Sequence, residues 1–125
     1  MKLERRLAIF TIGFLGFYAP FETWWSWANG LLDPFYIVDF VAMALLLWGA
    51  LQVRRRPGSP GILTAGWAWT AANFWRAFWD RVQAFGVGDP LDFGEFELCI
   101  VGSGVAIALV CLALSLYLCT RRTTA

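Results

Sequence analysis

Apolar residues run through this chain in four long blocks, separated by short stretches that hold nearly all its charge. The first block, LAIFTIGFLGFYAPF, follows a basic start. The second, FYIVDFVAMALLLWGALQV, ends at three consecutive arginines. The third is ILTAGWAWTAANFWRAFWDRVQAF, and the fourth runs from residue 96 to 119. None shows the period-two alternation of a barrel strand, and backbone groups in lipid must be satisfied within a helix or a closed barrel. The pattern predicts an all-α integral membrane four-helix bundle of two antiparallel hairpins. Its spans lie at about 7–27, 34–53, 61–85 and 94–119 of one domain covering residues 1–125. The charge-free stretch 98–120 alone makes about 34 Å of helix, enough for a hydrocarbon core of about 30 Å.

Local signals set the boundaries. Pro20 should kink or end the outer turn of the first helix. Asp33 before Pro34, and Asp89 before Pro90, read as N-caps followed by proline at the first helical position. PGSPG at 57–61 reads as a tight turn, and Gly86 and Gly88 close the third run. GLLDPF at 30–35 and GVGDPL at 86–91 are similar enough to suggest either duplicated hairpins or convergent turn chemistry.

Composition agrees with a membrane setting. Hydrophobic residues make up 59% of the 125 residues and charged residues 15%, against about 25% charge in an ordinary soluble domain. Eight of the ten Lys and Arg fall in three clusters: Lys2, Arg5 and Arg6; Arg54, Arg55 and Arg56; Arg121 and Arg122. Glu4 is the one acid near them, and the other eight lie toward the opposite ends of the apolar runs. This positive-inside pattern predicts an inner-membrane protein with both termini and the 53–60 turn in the cytoplasm. A signal peptide is the competing reading of the first run, but YAPFETWW offers no small-x-small cleavage site, so a retained span is expected. Trp24, Trp25, Trp27, Phe35, Tyr36, Trp75, Trp79 and Phe93 gather toward the outer interface, where amphipathic rings belong.

The remaining charges can be placed by depth. Arg6 to Glu22, Asp39 to Arg54 and Pro60 to Arg76 each span only about 22–24 Å of helix rise. Glu22, Asp39 and Arg76 should therefore share a layer about 6 Å below the outer edge of the hydrocarbon, with Asp80 and Arg81 a turn further out. Charges at that depth are costly against lipid and should turn inward and pair. Gly66, Thr70, Asn73, Ala77 and Asp80 recur at steps of three and four, with Arg76 beside them. The expectation is that Arg76 meets Glu22 and Asp39, with a pair to Asp80 within its own helix as the local option. Trp67, Trp75 and Trp79 are assigned to an outward stripe, and Leu45, Leu46, Leu47 and Trp48 to a lipid-facing band. In the last helix Gly104, Ala108, Cys111, Ser115 and Cys119 make a seam of small residues for close helix packing. Gly13 and Gly16 suggest a similar notch in the first.

Candidate chemistry is sparse. The chain has no histidine, so no Ser/His/Asp set and no His-ligated haem can form, and no metal site or cofactor is expected. Cys99, Cys111 and Cys119 lack CxxC spacing and read as small hydrophobes. The basic clusters sit beside spans and read as contacts to anionic lipid, not nucleic acid. The expected partners are the bilayer and either a larger membrane complex or a second copy of the chain. A non-enzymatic accessory or scaffold subunit, or a bundle binding a hydrophobic partner, fits best. The charged cluster Glu22, Asp39, Asn73, Arg76, Asp80 and Arg81 also suits a small oligomeric transporter or channel. An enzyme acting on a lipid or quinone would need an apolar lateral opening leading to Glu22 or Asp39.

Overall fold

Proline and glycine punctuate four helices. The computed structural model describes residues 2–29, 34–88 and 95–123, as α1 (Lys2–Asn29), α2 (Pro34–Arg55), α3 (Gly61–Gly86) and α4 (Glu95–Thr123). There is no strand among the described residues. Pro34 opens α2. Asp33 and Asp89, the expected N-caps, lie outside the described residues, as does most of the repeated Asp-Pro pattern. Gly58 turns the chain between α2 and α3 with φ +110°, and Gly88 leaves α3 with φ +80°. Both angles are readily reached only without a Cβ. Pro20 does not end α1, which continues nine residues beyond it to Asn29.

Three of the helices are long and apolar enough to cross a membrane, over Lys2–Trp27, Tyr36–Arg55 and Glu95–Arg121. α3 has 26 residues, about 39 Å of rise, but Arg76, Asp80 and Arg81 lower its apolar character.

Side-chain pairs fix how the helices run. Tyr18 reaches Asp39 and Trp25 reaches Tyr36, so α1 and α2 are antiparallel. Gly49 lies against Leu63 and Gly66 against Leu46, so α2 and α3 are antiparallel. Thr64 meets Cys119 and Arg81 meets Glu97, which sets α3 against α4 in the same sense. Each helix packs on the next in chain order, whereas α1 and α4 scarcely approach each other. The bundle is thus open along one edge. The two expected hairpins are joined by an α2–α3 crossing as intimate as either hairpin.

That crossing is backbone on backbone. A Cβ built on Gly49 would fall 2.5 Å from Leu63 Cα and 2.9 Å from the Ile62 carbonyl carbon. One built on Gly66 would fall 3.0 Å from Leu46 N. Leu46 is consequently fully buried, contrary to its assignment to a lipid-facing band, while Leu47 and Trp48 are exposed as expected. The Gly13 and Gly16 notch faces outward, with nothing within 4 Å of where a Cβ would stand on either residue.

Trp67 corrects a second expectation. It is fully buried, whereas Trp75 and Trp79 are exposed. Its ring packs on Phe14 at 5.2 Å between centroids, and its Nε1 donates to Thr11 Oγ1 at 3.2 Å. Thr11 in turn donates to Leu7 O at 2.8 Å. The indole thereby spans the bundle diagonal from α3 to α1, with its polar atom satisfied in the interior. At the end that carries the basic clusters, buried Glu4 accepts a hydrogen bond from Gly58 N at 3.0 Å, tying α1 to the α2–α3 turn.

The α4 seam points inward. Gly104, Ala108, Cys111 and Ser115 are buried and Cys119 is half-buried. Gly104 lets the Phe74 ring approach to 3.4 Å of its missing Cβ. Cys119 Sγ lies 3.4 Å from Thr64 Oγ1. The small residues thus admit α3 side chains at both ends of the contact.

Candidate functional site

Where α1 and α4 separate, toward the end of the bundle opposite the basic clusters, a half-open cavity of about 720 Å³ remains. α1 supplies Phe14, Phe17, Tyr18, Phe21, Glu22 and Trp25, successive members of one helical face and its flank. α2 supplies Tyr36, Val38 and Asp39, and α3 supplies Asn73, Phe74, Arg76, Ala77, Asp80 and Arg81. α4 contributes Glu97, Ile100, Val101, Ser103, Gly104 and Ile107. Phe17, Ile100 and Ser103 line the cavity and are also exposed, so its mouth lies between α1 and α4.

The wall is aromatic and interlocked. Phe14 and Tyr18 lie 5.5 Å apart between ring centroids, Tyr18 and Phe74 5.2 Å. Phe14 meets Phe74 edge-on at 6.3 Å. These separations are those of favourable tilted and T-shaped pairs. Phe74 keeps its place because Gly104 offers no side chain opposite.

All six residues of the expected charged cluster line this one cavity: Glu22, Asp39, Asn73, Arg76, Asp80 and Arg81. Their pairing differs from expectation. The ion pair shown for Arg76 is with Asp80, one helical turn on, at 3.8 Å, and the two side chains are 55% and 66% exposed. Arg81 makes the close pair, through Nε to the carboxylate of Glu97 on α4. Its Nη1 also donates to Ala77 O at 3.0 Å. Among the described residues no guanidinium forms an ion pair with Glu22 or Asp39. Asp39 instead accepts the Tyr18 hydroxyl at 2.9 Å and lies beside the Glu22 carboxyl. Asn73 Nδ2 and Trp69 Nε1 both donate to Val38 O, at 3.3 and 3.1 Å, which holds the start of α2 against α3 next to Asp39.

Tyr18, Glu97 and Ser103 are polar members that were not anticipated. Tyr18 stands four residues before Glu22, hence on the same face, and that spacing could have exposed it. Glu97 sits at the start of α4, level with the last turns of α3, and depth arithmetic applied to the fourth helix would have found it. The aromatic wall had a signal as well: Phe10, Phe14, Phe17 and Phe21 recur at steps of four and three and so share one face of α1.

No protein-family model matches the chain, and neither a curated protein nor a solved structure matches it.

Proposed function

We propose that this is a four-span inner-membrane protein, with both termini in the cytoplasm, that binds an apolar partner without chemically transforming it. The carrying observation is the cavity, open sideways between α1 and α4, walled by rings and ending at Glu22 and Asp39. Its volume of about 720 Å³ falls within the usual range for sites that take a small organic ligand, about 300–1,000 Å³. Three apolar helices, the outward Phe17, Trp27, Trp48 and Val110 side chains and the basic clusters at one end support insertion in this orientation. α3 serves as the fourth span. It is packed between α2 and α4, and its charged residues Arg76, Asp80 and Arg81 border the cavity.

The test is site-specific photolabelling. A neutral, diazirine-bearing long-chain alcohol added to the purified protein should crosslink chiefly to peptides around Phe17 and Ile107. Val101→Trp, which puts an indole into the cavity, should abolish that labelling. Labelling spread evenly over exposed side chains such as Trp48 and Val110, and unchanged in Val101→Trp, would refute the proposal.

A second reading has one observation in its favour: Glu22 and Asp39 border an open cavity and, among the described residues, form no ion pair with a guanidinium. It makes the protein a small transporter working as a dimer, since four helices are too few to enclose a wide path. Flux into liposomes that Asp39→Asn abolishes, with folding intact, separates this reading from simple binding.

A further inference from the structure

We infer that the ligand of this cavity is an organic cation with an apolar body, its charged head held between Glu22 and Asp39 and its body lying among Phe14, Phe17, Phe21 and Phe74. The inference rests on the binding reading above and names the chemistry of the partner.

Charge complementarity carries it. Among the described residues four acids line the cavity, Glu22, Asp39, Asp80 and Glu97, against two cations, Arg76 and Arg81. Each guanidinium already has an acid: Asp80 for Arg76 and Glu97 for Arg81. Glu22 and Asp39 lie side by side without an ion pair among the described residues, within reach of the Arg81 and Arg76 charges, and the Tyr18 hydroxyl is the neutral donor that serves Asp39. A positive head placed there meets two acceptors at once. An anionic head meets like charge, which discriminates against it.

The walls select the kind of cation. A hard metal ion wants a cage of six or more oxygens, and among the described residues no group of three or more Cys, Asp or Glu side chains is placed to hold one. The cavity offers ring faces instead. Phe14, Tyr18 and Phe74 form one cluster of rings that lines the same cavity as Asp39, and Tyr18 touches it; aromatic faces attract organic ammonium groups through their quadrupole. The same rings give the rest of the molecule an apolar bed. Its mouth between α1 and α4 lets an amphiphile slide in from the side.

The experiment uses a matched pair of probes on the whole protein in phosphatidylcholine nanodiscs, with empty nanodiscs subtracted. One probe is tritiated decyltrimethylammonium. The other is its uncharged carbon isostere, in which a tert-butyl group replaces the head. The cation should bind saturably and at least about tenfold more tightly than the isostere, about 1.4 kcal/mol at 25 °C. The double variant Glu22→Gln with Asp39→Asn should remove that preference while leaving the isostere's affinity unchanged. Equal affinity of the two probes for the wild-type protein overturns the inference but leaves a binding cavity. Saturable binding of neither overturns the cavity reading as well. The wild-type comparison decides the matter even if the double variant does not fold.

Discussion

Gly49→Ala adds one methyl group and should separate two effects that usually travel together. In an exposed helix interior, alanine is favoured over glycine by up to about 1 kcal/mol. At Gly49 the new methyl would lie 2.5 Å from Leu63 Cα and 2.9 Å from the Ile62 carbonyl carbon. Carbon atoms sit comfortably at about 3.5–4.0 Å, so α2 and α3 must part by about 1 Å. The obstructing atoms are backbone, so no rotamer change can relieve the overlap. Overpacking of this kind costs about 1–3 kcal/mol. Gly13→Ala is the internal reference, because its methyl has nothing within 4 Å and gains the propensity term alone. We expect Gly49→Ala to be less stable than Gly13→Ala by about 1–3 kcal/mol. The assay is reversible unfolding by SDS in mixed micelles, followed by far-UV circular dichroism. Equal stabilities for the two variants would mean that α2 and α3 do not cross at Gly49, and the bundle described above would be wrong at its tightest point.

Trp67→Phe keeps an aromatic ring in the core but leaves Thr11 Oγ1 without its donor; it should lose about 1 kcal/mol, and Trp67→Ala about 3–5 kcal/mol, in the same titration. Glu97→Gln removes the carboxylate from Arg81 in a pair whose two side chains are 27% and 10% exposed, and should cost about 1–3 kcal/mol. Asp80→Asn disturbs the exposed pair with Arg76 and should change stability by less than about 0.5 kcal/mol. A loss from Asp80→Asn as large as that from Glu97→Gln would reverse the assignment of the main interhelical ion pair. Should the chain span the membrane as proposed, an impermeant maleimide should label Val87→Cys from outside intact spheroplasts. It should label Ser59→Cys only after permeabilisation. Both variants are made in a background without Cys99, Cys111 and Cys119, and the reverse pattern would invert the orientation.

The start of α2, the turn into α3 and the end of α3 could be read from sequence because they are marked locally. Pro34, the turn at Gly58 and the glycines after Phe85 act through their own backbone preferences, whatever the rest of the chain does. The charged residues could likewise be brought to one level by counting rise, and all six line one cavity. Rotation about the helix axes was much less legible. Trp67, Trp75 and Trp79 are spaced by multiples of four, but at 100° per residue twelve residues leave Trp67 about 120° away from Trp79. That is enough to turn one ring into the core and the other outward. The same uncertainty decides which acid meets which arginine. Arg76 and Arg81 differ by about 140° around α3, and it is Arg81 that points to α4 and Glu97. Glycine is ambiguous in the same way. Gly13 and Gly49 look alike in sequence, and only the neighbouring helix distinguishes an outward surface from a close crossing.

The missing seam between α1 and α4 makes the molecule a linear stack. α3 is clasped on both flanks, whereas α1 is an end member with one continuous backbone neighbour. In a nearest-neighbour arrangement the end unit is the least expensive to displace. α1 is also the helix that contributes Glu22 and most of the aromatic wall. An occupant of the cavity that bridged α1 to its neighbours, as the binding proposal has it, would fasten this end member and raise the stability of the whole stack.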